Sequence, residues 1–280
     1  MSQISIVTDS SAEIPAQIVE ELDITVIPIE LQLGDKVWKD GVDITTEGFL
    51  QKVADSSDMP IAIPPSVETF QHVYRELGAA TSQILSIHGS SKLNATVDNA
   101  RTAASTFLGN NGIMVLDSEM VSTGLGMLVI AAARAAAKGQ SIQDVVRLFR
   151  GMVPHVYIVF FVDSLEYLSR SQKIDESQAI LGNLLSIKPM LIIEDGEILP
   201  LEKVRTHEEA MERLHDFISE FSSISSLTIS HGLNDKESPA LLEIIAESFP
   251  DKRISLNTYG PPLVTQIGPQ ALGIVVYEGA

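Results

Sequence analysis

Three short polar runs stand where apolar runs end. They are Thr8-Asp9-Ser10-Ser11, His88-Gly89-Ser90-Ser91 continuing to Asn94, and Asp117-Ser118. Hydroxyl, amide and carboxylate groups dominate them, and Lys92 is their one cation. Such a set suits a single carboxylate or a neutral polar group better than a polyphosphate, which calls for clustered Lys and Arg. Each run also has a plainer use. Asp, Ser and Asn after a strand serve as helix N-caps worth about 1 kcal/mol each. Three together point to a polar site as readily as to three caps.

Other chemistry is missing. No Walker loop, G-x-G-x-x-G turn, H-E-x-x-H pair or G-x-S-x-G elbow occurs. The histidines at 72, 88, 155, 207, 215 and 231 lack metal-ligand spacing, and no metal site is expected. His207 and His215 read as an exposed face of one helix. No Ser/His pairing is visible as a motif. An enzyme using Asp9, Ser10 or Asp117 in acyl or phosphoryl transfer is the competing class.

The elements that would position the three runs alternate. Ile4–Val7, Thr25–Leu33, Gln83–Ile87 and Gly112–Leu116 read as strands. Pro15–Leu22, Thr45 or Thr46 to Val53, Glu68–Gly78, Asn94–Leu108, Gly124–Lys138 and Ser141–Met152 read as helices, and Asp55–Ser66 as a proline-containing loop. This pattern predicts a mostly parallel sheet with flanking helices, whose ligands sit at the carboxyl ends of the strands. Pro154 marks a boundary. The expected domains are therefore 1–153, α/β, and 154–280, α+β, with a ligand cleft between them. The second is read from strands Val156–Val162, Leu227–Ser230, Ile254–Thr258 and Gly273–Tyr277. Its other parts are helices Ser177–Ile187, His207–Phe221 and Pro239–Ser248 and a hairpin turning at Asp195-Gly196.

Composition bounds the partners. The 280 residues carry 19 Lys+Arg against 37 Asp+Glu, a formal charge of -18, which opposes nucleic acid and anionic membrane surfaces. Absence of cysteine excludes disulfides, thiolate zinc sites and thiol catalysis. The longest apolar stretch, Met127–Ala137, is interrupted by Arg134 and too short to span a bilayer, so no stable membrane insertion is expected. No signal segment is apparent at Met1–Val7, and the expected location is the cytoplasm.

The ordered motifs resemble the DegV family from end to end. The similarity rests on Thr8-Asp9-Ser10-Ser11, on Ser90-Ser91-Lys92-Leu93-Asn94-Ala95-Thr96, and on Asp117-Ser118 followed by Gly124-Leu125-Gly126. It continues through Asp163-Ser164-Leu165-Glu166-Tyr167-Leu168, Leu181 to Pro189, Glu202 to Thr206, Gly260-Pro261, Gly268-Pro269 and Leu272-Gly273. The resemblance implies a non-catalytic carrier with no cofactor. A long-chain fatty acid would lie in a buried tunnel, its carboxylate at the polar loops between the domains. A partner kinase subunit would phosphorylate it. The implied fatty-acid contacts are Ala62, Asn94, Ser10, Ser91, Ser118 and Gln266, and the implied partner surface includes Lys173 and Arg205. Ala62, Asn94 and Gln266 stand where the family has Thr, Ser and His, and Ser171-Gln172-Lys173 stands for Gly-Gly-Arg. Asn94 and Gln266 keep amide donors; Ala62 does not. Two alternatives follow: a diverged member holding a different amphiphile, or a ligand-free regulatory or interaction protein.

Overall fold

In a computed structural model of the chain, residues 4–79, 81, 83–107, 112–170, 187–233 and 236–279 are described. Lys173 and the helix expected over Ser177–Ile187, save its last residue, lie outside them. The chain divides into two compact units, Met1–Gln32 with Lys36–Ile44 and Ala62–Pro154, and Leu33–Asp35 with Thr45–Ile61 and His155–Ala280. The main division falls at Pro154. The segment Thr45–Ile61, expected in the N-terminal domain, belongs to the second unit.

The first unit is built on a four-stranded, wholly parallel sheet. Strands β1 (Ile4–Asp9), β2 (Ile24–Ile27), β6 (Gln83–His88) and β7 (Gly112–Asp117) lie in the order β2-β1-β6-β7. The single strand expected over Thr25–Leu33 is two. Pro28 has no amide hydrogen to give the ladder, so β2 ends at Ile27. Strand β3 (Glu30–Leu33) then turns through Gly34, φ 58°, into β4 (Lys36–Lys39). With β5 (Ile61–Ile63), inside the expected loop, they form a three-stranded sheet of order β4-β3-β5.

Helices α1 (Ala16–Glu21), α3 (Val67–Gly78), α4 (Thr96–Ser105), α5 (Ser122–Ala137) and α6 (Ile142–Met152) complete the first unit. Phe70 and Tyr74, one turn apart on α3, share a core with Val7, Ile27, Ile84, Ala100 and Ala103. Helix α5 is nearly all apolar and buries Leu125, Leu128, Val129 and Ala132.

The second unit centres on a six-stranded mixed sheet of order β10-β9-β8-β13-β11-β12. Its strands are β8 (Val156–Val162), β9 (Lys188–Glu194), β10 (Glu197–Val204), β11 (Ile224–His231), β12 (Ile254–Thr258) and β13 (Ala271–Glu278). Asp195 and Gly196, φ 49° and 79°, make the expected hairpin turn. Helices α8 (His207–Ser219) and α9 (Ser238–Ser248) cover it, and Leu214, Ile218, Leu241 and Ile245 join Val159, Ile229 and Ile274 in the core. Two helices were not foreseen, α7 (Glu166–Arg170) and α10 (Pro261–Ile267). Helix α2 (Thr46–Ala54), capped by Thr45, packs on α10, which explains its membership of this unit.

Candidate functional site

Register brings the polar loops together. Val7 pairs with Ser86 and His88 with Asp117, so β1, β6 and β7 end side by side at the carboxyl edge of the parallel sheet. The loops are cross-braced. Ser118 N donates to His88 O at 3.0 Å, and Ser90 N to Met120 O at 3.0 Å. Ser91 N donates to the Asp117 carboxylate at 3.3 and 3.4 Å. Gly89 packs against the β1 loop, where a Cβ would stand in ordinary contact 3.4 Å from Ser11 Oγ.

The expected contacts have distinct surroundings. Ser10 Oγ accepts from Ile29 N at 3.0 Å and is hydrogen-bonded to Asp40. Ser91 is half-buried in the β6 loop. Ser118 is fully buried and its hydroxyl closes on Met120, accepting from N at 3.1 Å and donating to O at 3.4 Å. Asn94 Oδ1 accepts from Thr96 N at 2.9 Å. Ala62 lies in β5, and the strand's continuation is tied to α4 by Asn99 Nδ2 donating to Pro65 O at 2.9 Å. Gln266 and Arg205 belong to the second unit. The amide of Gln266 contacts Thr265 Oγ1 at 3.4 Å; Arg205 is exposed, its backbone N donating to Glu209 at 2.8 Å.

Two threonines quoted in the motifs and given no role, Thr8 and Thr96, bury hydroxyls that have no hydrogen-bond partner among the described residues. Thr96 is the first residue of α4. The N-cap of α4, Ala95, supplies no side-chain cap. With the Thr96 N–H taken by Asn94 Oδ1, an unmatched buried hydroxyl beside the Asn94 amide nitrogen offers donors to a carboxylate at the start of the helix.

Acid groups stand close by. Asp40 is 6% exposed. Burial pushes its carboxyl up to about 6, the Ser10 hydrogen bond opposes this, and the charge of Asp9 adds to the rise. Beneath the loops runs a sealed polar line. Tyr74 OH donates to Ser86 Oγ at 2.8 Å, Ser86 Oγ lies 2.7 Å from His88 Nε2, and His88 Nδ1 lies 2.7 Å from Asp9 Oδ2. Burial holds the Tyr74 phenol up at about 12. A Ser–His–Asp alignment thus exists, although no motif signalled it. Ser86 and His88 are 0% exposed and Asp9 1%, so this serine is closed to substrate.

The second unit holds a separate cluster. His207, expected on an exposed face, is half-buried. Its Nδ1 lies 2.7 Å from Glu237 Oε1 and its Nε2 2.8 Å from Asp163 Oδ1. Lys188 pairs with Asp163, and Phe161 meets the ring edge-on at 5.3 Å. The cluster borders a pocket of about 250 Å³. The carboxylates face opposite ring nitrogens, so they do not converge on one point. No group of three or more His, Asp or Glu that could hold a metal was found among the described residues. His215 is also half-buried, 2.8 Å from Ser248 Oγ.

A parallel α/β unit with polar loops at its strand ends, joined in one chain to a sheet-based α+β unit, defines a two-domain architecture. The family model that matches is that of the DegV family, over residues 3–279, and the chain belongs to this family. Protein DegV of Bacillus subtilis is 28% identical over 275 residues, 97% of this chain and 98% of that one. A DegV domain-containing protein of Caldanaerobacter subterraneus is 31% identical over 282 residues, 99% of this chain and 100% of that one. Two solved structures match over the full length of both chains with TM-scores of 0.88. One is a fatty-acid-binding DegV family protein from Thermus thermophilus, 29% identical; the other is DegV, a fatty acid binding protein from Bacillus subtilis, 26% identical.

Proposed function

We propose that this chain is a non-catalytic carrier of a long-chain fatty acid, holding the carboxylate at the loops after β1 and β6 and at the start of α4. It works in the cytoplasm and presents the acid to a separate kinase subunit that forms the acyl phosphate. The observation that carries the carboxylate contact is the unmatched, buried Thr96 Oγ1 at the first residue of α4, beside Asn94. The fatty-acid binding of the two relatives supports the ligand class. The energetics agree in kind. Each buried methylene contributes about 0.8 kcal/mol, so the tail supplies affinity, while the carboxylate needs hydrogen-bond donors in place of water.

Ala62 favours a second reading, because its methyl offers no hydrogen bond where the family has a hydroxyl. A neutral headgroup would suit it. Titration of delipidated protein with a fatty acid, its methyl ester and the matching alcohol separates the two. The carrier of an acid binds the acid about tenfold or more tightly than the ester. Equal affinities would transfer the assignment to a neutral amphiphile. Asn94→Asp sharpens the test. The carboxylate keeps the acceptor for Thr96 N but repels an anion, so acid binding weakens about tenfold while alcohol binding and melting temperature stay near wild type. Unchanged acid binding would remove Asn94 from the headgroup contacts.

A further inference from the structure

The sealed line Tyr74–Ser86–His88–Asp9 is costly to bury unless every member is satisfied, and an apolar filling of the same volume would hold α3 to the sheet as well. Its construction follows from three periodicities. Ser86 and His88 are two apart on β6 and face the same side. Phe70 and Tyr74 are four apart on α3 and cover that side, Phe70 meeting the His88 ring edge-on at 5.1 Å. The β1–β6 register pairs Val7 with Ser86, and two residues on, Asp9 meets His88 at 2.7 Å.

For a neutral imidazole one order of hydrogens satisfies every member of the line. Tyr74 has one hydrogen and gives it to Ser86 Oγ. Ser86 gives its own to His88 Nε2, so the imidazole hydrogen sits on Nδ1 and points at Asp9 Oδ2. With Oδ2 occupied, Asp9 turns Oδ1 to Ser11, accepting from its backbone N at 3.0 Å and from its hydroxyl. Asp9 is the N-cap of the 3₁₀ turn Ser10–Ala12, which carries Ser10 and sets Ser11 against Gly89. The line thus ends on the loop assigned to the headgroup.

We propose that His88 is a positioning residue for headgroup recognition, acting through Asp9 to set the Ser10–Ala12 turn, with Ser86 and Tyr74 fixing which ring nitrogen carries the hydrogen. This rests on the carrier function proposed above. The functional arm is Nδ1 to Asp9; the Nε2 arm only selects the tautomer.

Isosteric substitution separates the arms. The amide nitrogen of Asn overlays Nδ1, and that of Gln overlays Nε2. In fatty-acid titrations of the full chain, His88→Gln weakens binding about tenfold, and His88→Asn recovers most of that loss although both lower the melting temperature to a similar extent. Affinity that follows melting temperature alike in both variants, or that is unchanged in both, overturns the proposal. Should a His88 variant fail to fold, Tyr74→Phe serves. It removes one oxygen, releases the tautomer as read by ¹⁵N imidazole shifts, and weakens binding about threefold. A released tautomer with unchanged affinity overturns the proposal. A wild-type protein that binds no fatty acid defeats the carrier function and this role together. One that binds, with variants following stability alone, defeats this role only.

Discussion

Gly126→Ala lowers the unfolding free energy by about 1–3 kcal/mol, whereas Gly151→Ala raises it by about 0.5–1 kcal/mol. Both glycines are helical, in α5 and α6, and alanine at either gains roughly 1 kcal/mol of helix propensity. Surroundings decide the sign. A Cβ on Gly126 would stand 2.3 Å from the carbonyl oxygen of Ala12 and 3.6 Å from Ile14 Cγ1, whereas one on Gly151 meets nothing within 4 Å. The clash is with backbone, and that backbone belongs to the Ser10–Ala12 turn that Asp9 caps and Ser122 braces by donating to Glu13 at 2.6 Å. Gly126→Ala therefore weakens fatty-acid binding as well, by moving Ser10 and Ser11. Denaturant melts with ligand titration on the two variants check this. A neutral or stabilising Gly126→Ala would show that α5 does not press on the turn.

Asp40→Asn stabilises the protein at pH 7.5 by up to about 3 kcal/mol and leaves stability near wild type at pH 4. The folded carboxyl titrates at about 6 against 3.8 for the ordinary group, mainly because it is buried. Between those values the folded state binds the extra proton, so this group's contribution falls as pH rises through the window. Above it, the native state carries a buried anion beside Asp9. Asparagine keeps one acceptor oxygen for Ser10 or the Gly41 backbone and carries no charge. Chemical unfolding of both proteins from pH 4 to 8 measures the effect as a gap that opens with pH. A gap constant across that range would mean that burial does not raise the Asp40 carboxyl above its ordinary value.

The sheet of the first unit was legible because its strands are short apolar runs ending in polar loops, and the parallel class follows from the intervening helices. What escaped was local or long-range. Ile61–Ile63 is only three residues between Pro60 and Pro64, too short for alternation to register, yet it pairs into the sheet β4-β3-β5. Pro261 and Pro262 were assigned to no element, yet they occupy the first helical positions of α10, where a missing N–H costs nothing. The break at Pro28 was readable and was overridden by the β-branched run around it. Among site residues, Ser10, Ser91 and Asn94 sit in or next to the braced loops, while Ser118 spends its hydroxyl on its own turn. The link from Asp9 to His88 spans 79 positions and depends on β6 lying next to β1, which no spacing in the chain announces. His207 shows the same limit, since its carboxylate partners are 44 and 30 positions away.

The most direct measurement is native mass spectrometry of the purified chain, followed by organic extraction of whatever it releases. The carrier function predicts a one-to-one complex whose extract is a long-chain fatty acid, restored after delipidation by adding that acid. A chain that runs at its bare mass, and stays there in excess fatty acid, would contradict it.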